Sequence, residues 1–194
     1  MKEIARGAEA VVFDSGNEIV KERFAKSYRH PELDSELRKQ RTRREANLLK
    51  KLPIAHPKLI QSDEKEKIVM EKIEGDKLRE ALDEKPELAR AVGEMLAKMH
   101  DAGVMHGDLT TSNIILKNDG GLVFIDFGLS FQSHKAEDRA VDIHLFKQAL
   151  ESKHFRVYDR ALKEFLKGYS GASGHDETIK RLRQVELRGR YRKG

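Results

Sequence analysis

The sequence predicts an α+β protein of two lobes, a small N-terminal β-sheet lobe carrying one main helix and a mainly helical C-terminal lobe. Three observations predict it. Short apolar runs alternate with turn residues from Ile4 to about Phe24, and two more strand-like runs follow at 59–61 and 67–70. One long, charged stretch with helical spacing interrupts them after Pro31. Beyond Gly75 the apolar residues recur at helical spacing, and one short hairpin signal breaks the pattern.

Taken in order, Val11-Val12-Phe13 and Ile19-Val20 flank Asp14-Ser15-Gly16-Asn17, a turn-rich hairpin signal. Pro31 suits a first helical turn, and the helix is expected to run to about Leu52, with Leu33, Leu37, Ala46, Leu48 and Leu49 as its apolar positions. Its middle is basic, with Arg38, Lys39, Arg41, Arg43 and Arg44. Two further strands are read at residues 59–61 and 67–70. The segment Glu71-Lys72-Ile73-Glu74-Gly75 then forms a connector ending on a flexible glycine, so the lobe boundary is placed between residues 74 and 75. Leu88, Val92, Met95, Leu96 and Met99 mark a helix after Pro86. Strands at 114–116 and 123–125 bracket an Asn118-Asp119-Gly120-Gly121 turn. From about Glu137 the chain reads as helical up to the glycine-rich break at 168–174. A last short helix leads into a basic tail, placed at 188–194 beyond a C-terminal lobe of residues 75–187.

The chain has 194 residues, of which 37% are charged and none is cysteine. The charge exceeds the roughly 25% usual for soluble domains and suits a thermophile. The lack of cysteine excludes disulfides and thiolate metal sites and fits a reducing cytoplasm. No apolar run approaches the ~20 residues of a membrane span, and the N-terminus has no signal-peptide core. A cytoplasmic protein with no membrane association is therefore expected. Seven basic side chains against one acid give residues 180–194 a net +6, which leaves the rest of the chain at −1 of its total +5. Such a block reads as a nucleic-acid contact or as a solvated tail.

Two segments carry chemistry. Residues 106–113 read HGDLTTSN, and residues 126–128 read DFG after the apolar strand Val123-Phe124-Ile125. Phosphoryl transfer needs a positioned acceptor, cations on the phosphates and carboxylates to hold a metal. Asp108 is placed to orient a hydroxyl and accept its proton. Asn113, five positions on, can turn its amide oxygen toward Mg²⁺, and Asp126 at a strand end can coordinate the same ion. The order and spacing of these segments resemble the catalytic and metal-binding loops of protein kinases. Ordinary turn carboxylates are the alternative, but they do not account for order, spacing and context together.

His106 is read as a packing residue that braces the loop, because Asp108 already supplies the base. Gly107 departs from the arginine that most protein kinases carry there. Lys21, ending the strand Ile19-Val20-Lys21, is the expected phosphate lysine, with Lys26 as competitor. Its acidic partner is expected at Glu45, with Glu36 and Glu32 as alternatives. The phosphate-covering loop is reduced to Arg6, Gly7, Ala8, Glu9 and Ala10, with a single glycine. About ten residues separate Gly128 from the next helix, leaving little platform for a peptide substrate. Asp142 in that helix is either a brace on the catalytic loop or a surface carboxylate.

Residues 21–46, together with RGAEA, MHGDLTTSN, IDFGLS and the ending RGRYRKG, resemble the archaeal and eukaryotic kinase subunit of the KEOPS (EKC) complex. The kinase motifs alone also fit RIO kinases and small-molecule phosphotransferases. The resemblance implies a bilobal protein-kinase-like fold with a trimmed C-terminal lobe. It implies a serine/threonine kinase or ATPase using ATP and Mg²⁺ that supports formation of N6-threonylcarbamoyladenosine at adenosine 37 of tRNA. It further implies two protein partners, the complex's catalytic threonylcarbamoyltransferase subunit and a small subunit. Carried over residue by residue, Asp108 is the proton acceptor and Asn113 and Asp126 are the Mg²⁺ ligands. The expected ATP-binding set is Arg6, Gly7, Ala8, Glu9, Ala10, Lys21, Glu45, Glu71 and Ile73. Arg188, Arg190, Arg192 and Lys193 are expected on the tRNA backbone, with Tyr191 stacking or simply exposed. A free RIO-like protein kinase and a non-catalytic ATP- or tRNA-binding scaffold are the competing functions. The intact Lys21, Asp108, Asn113 and Asp126 count against the scaffold.

Overall fold

The computed structural model describes residues 1–190, with side chains as far as Leu187. Five antiparallel strands and one helix form the N-terminal lobe. The strands are β1 (Lys2–Arg6), β2 (Ala10–Asp14), β3 (Glu18–Arg23), β4 (Leu59–Ser62) and β5 (Lys67–Glu71), in the order β1-β2-β3-β5-β4. The β2–β3 turn closes as its residues dictate. The Ser15 amide donates to Glu18 O at 2.9 Å, and the Asp14 carboxylate accepts the Gly16 amide at 2.8 Å. Central β3 pairs Lys21 with Val12 on one side and Ile68 on the other.

Helix α1 (Pro31–Leu49) joins β3 to β4. Ala46, Leu48 and Leu49 bury their side chains in the core, as their spacing predicts. The first half of the helix differs. Leu33 is 57% exposed, whereas Asp34 is 2% exposed. The Asp34 carboxylate accepts the Lys26 amide at 3.2 Å and Arg38 Nε at 2.8 Å. A polar network thus occupies the face that periodicity assigned to leucines. The helix also stops at Leu49, and Leu52 is buried beyond its end.

The rest of the chain forms β6 (Asp76–Lys77), α2 (Leu78–Ala81), α3 (Ala89–Asp101), β7 (Val104–Met105), β8 (Ile114–Leu116), β9 (Leu122–Phe124), β10 (Phe131–Gln132), α4 (Ala136–Lys153), α5 (Tyr158–Tyr169) and α6 (His175–Arg190). The short pieces β6, α2, β7 and β10 carry no sequence signal of their own. The helical stretch after Glu137 is two helices, broken at His154. That side chain is withdrawn into the core, bonding Thr111 Oγ1 at 3.0 Å and Asp83 Oδ1 at 2.6 Å. The last helix is long, and residues 188–190, assigned to the tail by sequence, lie on it.

Helices α3 and α5 cross at two glycines. A Cβ on Gly93 would penetrate the Phe165 carbonyl, and one on Gly168 would penetrate the Arg90 carbonyl. Phe165 of α5 stacks on Phe146 of α4, with ring centroids 4.5 Å apart. One continuous apolar core runs from Leu48 and Ile68 through Phe127 to Phe165 and Tyr169.

Candidate active site

The site begins with strand periodicity. Residues two apart on a strand share a face, so Lys21 and Arg23 both point from β3 toward α1. Both are buried, and both meet Glu45 of α1. Lys21 Nζ lies 2.8 Å from Glu45 Oε1, and Arg23 lies 2.5 Å from Glu45 Oε2. Lys21 Nζ also reaches Asp126 Oδ1 at 2.7 Å, which links the two lobes. Burial works against the Lys21 charge, but the Glu45 and Asp126 carboxylates hold its pKa above the ordinary lysine value. The alternatives lie elsewhere. Lys26 Nζ sits over the Phe24 ring at 4.5 Å, Glu36 accepts from Gln40, and Glu32 is exposed.

Across the cleft, Val104-Met105 and Phe131-Gln132 pair as a two-stranded ribbon that frames the catalytic loop. The Asp142 carboxylate of α4 accepts the amides of His106 at 2.6 Å and Gly107 at 2.8 Å. Of the two readings of Asp142, the structure therefore gives the brace. His100 extends it inward, bonding Asp142 at 3.2 Å and Tyr169 Oη at 2.8 Å.

Gly107 adopts φ +79°, and a Cβ there would lie 2.5 Å from Leu129 O. Any side chain at this position would thus be strained, which suits the glycine found there. His106 is fully buried and packs on Phe127, with ring centroids 5.2 Å apart. Burial lowers its pKa, against the pull of the surrounding aspartates. Its Nδ1 accepts the Asp108 amide and its Nε2 faces Ile125 O, both at 3.3 Å, so the neutral ring braces the loop.

Asp108 and Asn113 meet at the cleft floor. Asn113 Nδ2 donates to Asp108 O at 2.8 Å and to Asp108 Oδ2 at 3.0 Å, leaving the Asn113 amide oxygen to other partners. Burial raises the Asp108 pKa and the Asp126 charge adds to this, while the Asn113 bond opposes them. Asp126, at φ +62°, has a half-exposed side chain; its partial burial works against its charge, but the Lys21 charge and hydrogen bond hold its carboxyl below the ordinary range. The two aspartates are thus pushed in opposite directions, Asp108 upward and Asp126 downward.

A cavity of about 390 Å³ joins these groups. Ala5, Arg6, Gly7, Ala8, Glu9, Ala10, Val12, Lys21, Arg23, Arg41, Asp108, Asp126, Gly128 and Leu129 line it. Glu71, the last residue of β5, and Ile73, in the connector, lie outside this lining, and the Glu71 carboxylate accepts the Lys58 amide at 3.2 Å. Arg192 and Lys193 fall outside the described residues. Arg188 and Arg190 are placed on α6 by their backbone alone.

Sequence reading missed two cleft cations, Arg23 and Arg41. Both had a signal. Arg23 is two residues from Lys21 on one strand, and Arg41 is four residues before Glu45 on one helix face.

Among the described residues no cluster of three or more His, Asp or Glu side chains is arranged to chelate a metal. Asn113 Oδ1 and Asp126 offer two oxygens. That set fits Mg²⁺, which is usually held by one or two protein groups together with phosphates and water.

The fold and this cleft define a class of protein, and comparison with known families agrees. The protein kinase domain model matches residues 1–156, so the chain is an enzyme of the protein-kinase type. It is 44% identical to the KEOPS complex subunit Bud32 of Pyrococcus abyssi, over 99% of this chain and 97% of that protein. It is 41% identical to the EKC/KEOPS complex subunit BUD32 of Encephalitozoon cuniculi, over 96% of this chain and 94% of that one. A probable bifunctional tRNA threonylcarbamoyladenosine biosynthesis protein of Methanoculleus marisnigri is 43% identical over 97% of this chain, a match spanning 36% of that longer protein. Within the protein kinases, the chain belongs to the Bud32 family.

Proposed function

We propose that this chain is an Mg²⁺-ATP-dependent kinase/ATPase that works inside a KEOPS-type assembly and supports threonylcarbamoyladenosine formation on tRNA. The observation that carries the catalytic part is the convergence of Lys21, paired with Glu45, on Asp126, with Asp108 lining the same cavity and Asn113 bonded to Asp108. The assembly part rests on the names of the relatives, two of which are KEOPS subunits and one a tRNA threonylcarbamoyladenosine biosynthesis protein. The partners in this reading are the threonylcarbamoyltransferase subunit, a small subunit and tRNA.

Lys21 would bind the phosphates, and Glu45 keeps its ammonium charged and aimed. Asn113 and Asp126 would hold Mg²⁺, which neutralises phosphate charge when bound. Asp108 is half-buried, and burial favours its taking up a proton. It would orient the attacking hydroxyl or water and accept its proton. Only residues 129–135 separate the DFG segment from α4, and part of that span is tied into β10. So little exposed segment favours water or a presented partner as acceptor over a docked peptide.

Replacement of Asp108 by Asn should abolish ATP hydrolysis while leaving the melting temperature near that of the wild type. Persistent hydrolysis would remove Asp108 as the base. For tRNA, neutralising Arg188, Arg190, Arg192 and Lys193 to glutamine keeps helix α6 intact and should weaken binding and flatten its dependence on salt. Binding unchanged across a salt titration would sink the tail as a contact.

Membership of the family brings use of ATP. Among the described residues no helix is long and apolar enough to cross a membrane.

A further inference from the structure

The phosphate-covering loop of this chain is poor in the usual means of holding phosphate. Its one glycine, Gly7, donates its amide to Ala10 O at 2.9 Å, so that amide is used in closing the turn. Arg6 pairs with Glu3 on the exposed face of the loop. Glu9, at the tip, places a carboxylate in the lining of a cavity meant for an anion. That carboxylate is held by two cations, Arg29 at 3.0 Å and Arg41 at 2.5 Å.

The cations around the cleft are not equivalent. Lys21 and Arg23 are committed to the buried Glu45, and Lys21 to Asp126 as well. Arg29 has a second acid, Asp34, at 3.6 Å. Arg41 has Glu9 as its one ion-pair partner among the described residues. It lines the same cavity as Asp108 and Asp126 and remains about one-third exposed. If Glu9 moves away, Arg29 retains a partner and Arg41 does not. Beyond Lys21, Arg41 is therefore the further cation that an entering phosphate would find available.

We propose that Arg41 is a ligand of the terminal phosphate of bound nucleoside triphosphate, and that Glu9 holds this arginine until the phosphate takes its place. A guanidinium fork suits this task, since it pairs in the same bidentate way with a carboxylate and with a phosphate. The exchange replaces one anion by another of higher charge. It opens the loop tip only when a third phosphate is present, so it separates a triphosphate from a diphosphate. The proposal rests on the reading that the cleft binds ATP.

The test is calorimetric titration of the full chain, in Mg²⁺, with ADP and with the non-hydrolysable analogue AMP-PNP. Arg41→Gln is expected to weaken AMP-PNP binding about tenfold and to leave ADP within about twofold, the size expected for one lost charge-assisted pair. Arg41→Lys keeps the charge without the fork and should give a smaller loss, again confined to AMP-PNP. Glu9→Gln should tighten AMP-PNP about threefold, and that gain should vanish in the double variant, since the two residues act through one contact. Melting curves without nucleotide confirm that each variant is folded. Equal loss for both nucleotides, no loss for either, or a Glu9→Gln gain that survives without Arg41 would each overturn the proposal. Lys21→Ala serves as a separate control. A wild-type chain that binds neither nucleotide would remove the ATP reading and this inference with it, whereas binding that is indifferent to Arg41 would remove the inference alone.

Discussion

Gly107 shows how much one position can fix. His106 and Gly107, whose amides bond Asp142, must turn sharply to present Asp108, and the turn puts Gly107 at φ +79° against the Leu129 carbonyl. Any side chain there meets both a backbone penalty and a steric one. Gly107→Ala is expected to cost about 2 kcal/mol and to lower the melting temperature by roughly 4–8 °C. It should also reduce the rate of hydrolysis, since Asp108 is the next residue. A variant with wild-type melting and activity would show that the loop relaxes easily, against the rigidity argued here. Asp142 belongs to the same scale. Asp142→Ala leaves two loop amides without their acceptor, which should cost about 2–4 kcal/mol on the usual penalty for unsatisfied buried donors. Activity should fall through the rate at saturating ATP, because no phosphate-binding group moves. A rise in KM at an unchanged rate would contradict that assignment.

At the scale of elements, the α3–α5 crossing holds the helical lobe together. Gly93 and Gly168 let two backbones touch, and the stack of Phe146, Phe165 and Tyr169 forms behind them. Gly168→Ala forces the helices apart and is expected to cost about 1–3 kcal/mol, as overpacking in a tight core does. Thermal or chemical denaturation checks this, and an unchanged midpoint would rule out a tight crossing. What the sequence disclosed of the elements follows the range of the forces involved. The β2–β3 hairpin was legible because Asp14 and Gly16 close it within the turn itself. The catalytic motifs were legible because Asp108, Asn113 and Asp126 sit at fixed intervals on short, consecutive segments. The break between α4 and α5 was not legible, because His154 is drawn in by Thr111 and Asp83, remote in sequence. The exposed Leu33 misled for the same reason. Asp34 takes the inner position only because Arg38 and the Lys26 amide are there to receive it. Arg41 carried a helix-face signal, but its tie to Glu9 depends on how the phosphate loop folds over α1.

At the scale of the whole molecule, the bridge from Lys21 to Asp126 is a direct charged link between the sheet lobe and the helical lobe at the cleft. Bound Mg²⁺ and phosphate would take over both partners, Asp126 as a metal ligand and Lys21 as a phosphate ligand, and would tie the lobes through the nucleotide instead. A ligand that binds only the folded chain stabilises it by about 2.7 kcal/mol at a hundred times its dissociation constant. For a chain of this length that corresponds to a rise of roughly 5–10 °C in melting temperature. The full rise should require the triphosphate and Mg²⁺ together, and EDTA should remove most of it. Lys21→Ala tests the bridge from both sides. Glu45 keeps Arg23 as a partner, so the nucleotide-free variant should remain folded with a modestly lower melting temperature. Its nucleotide-dependent rise should be lost, because the proposed phosphate ligand is gone while the buried pair behind it is intact. A rise of wild-type size in Lys21→Ala, or one indifferent to EDTA, would place the nucleotide's main hold on the protein outside this cleft.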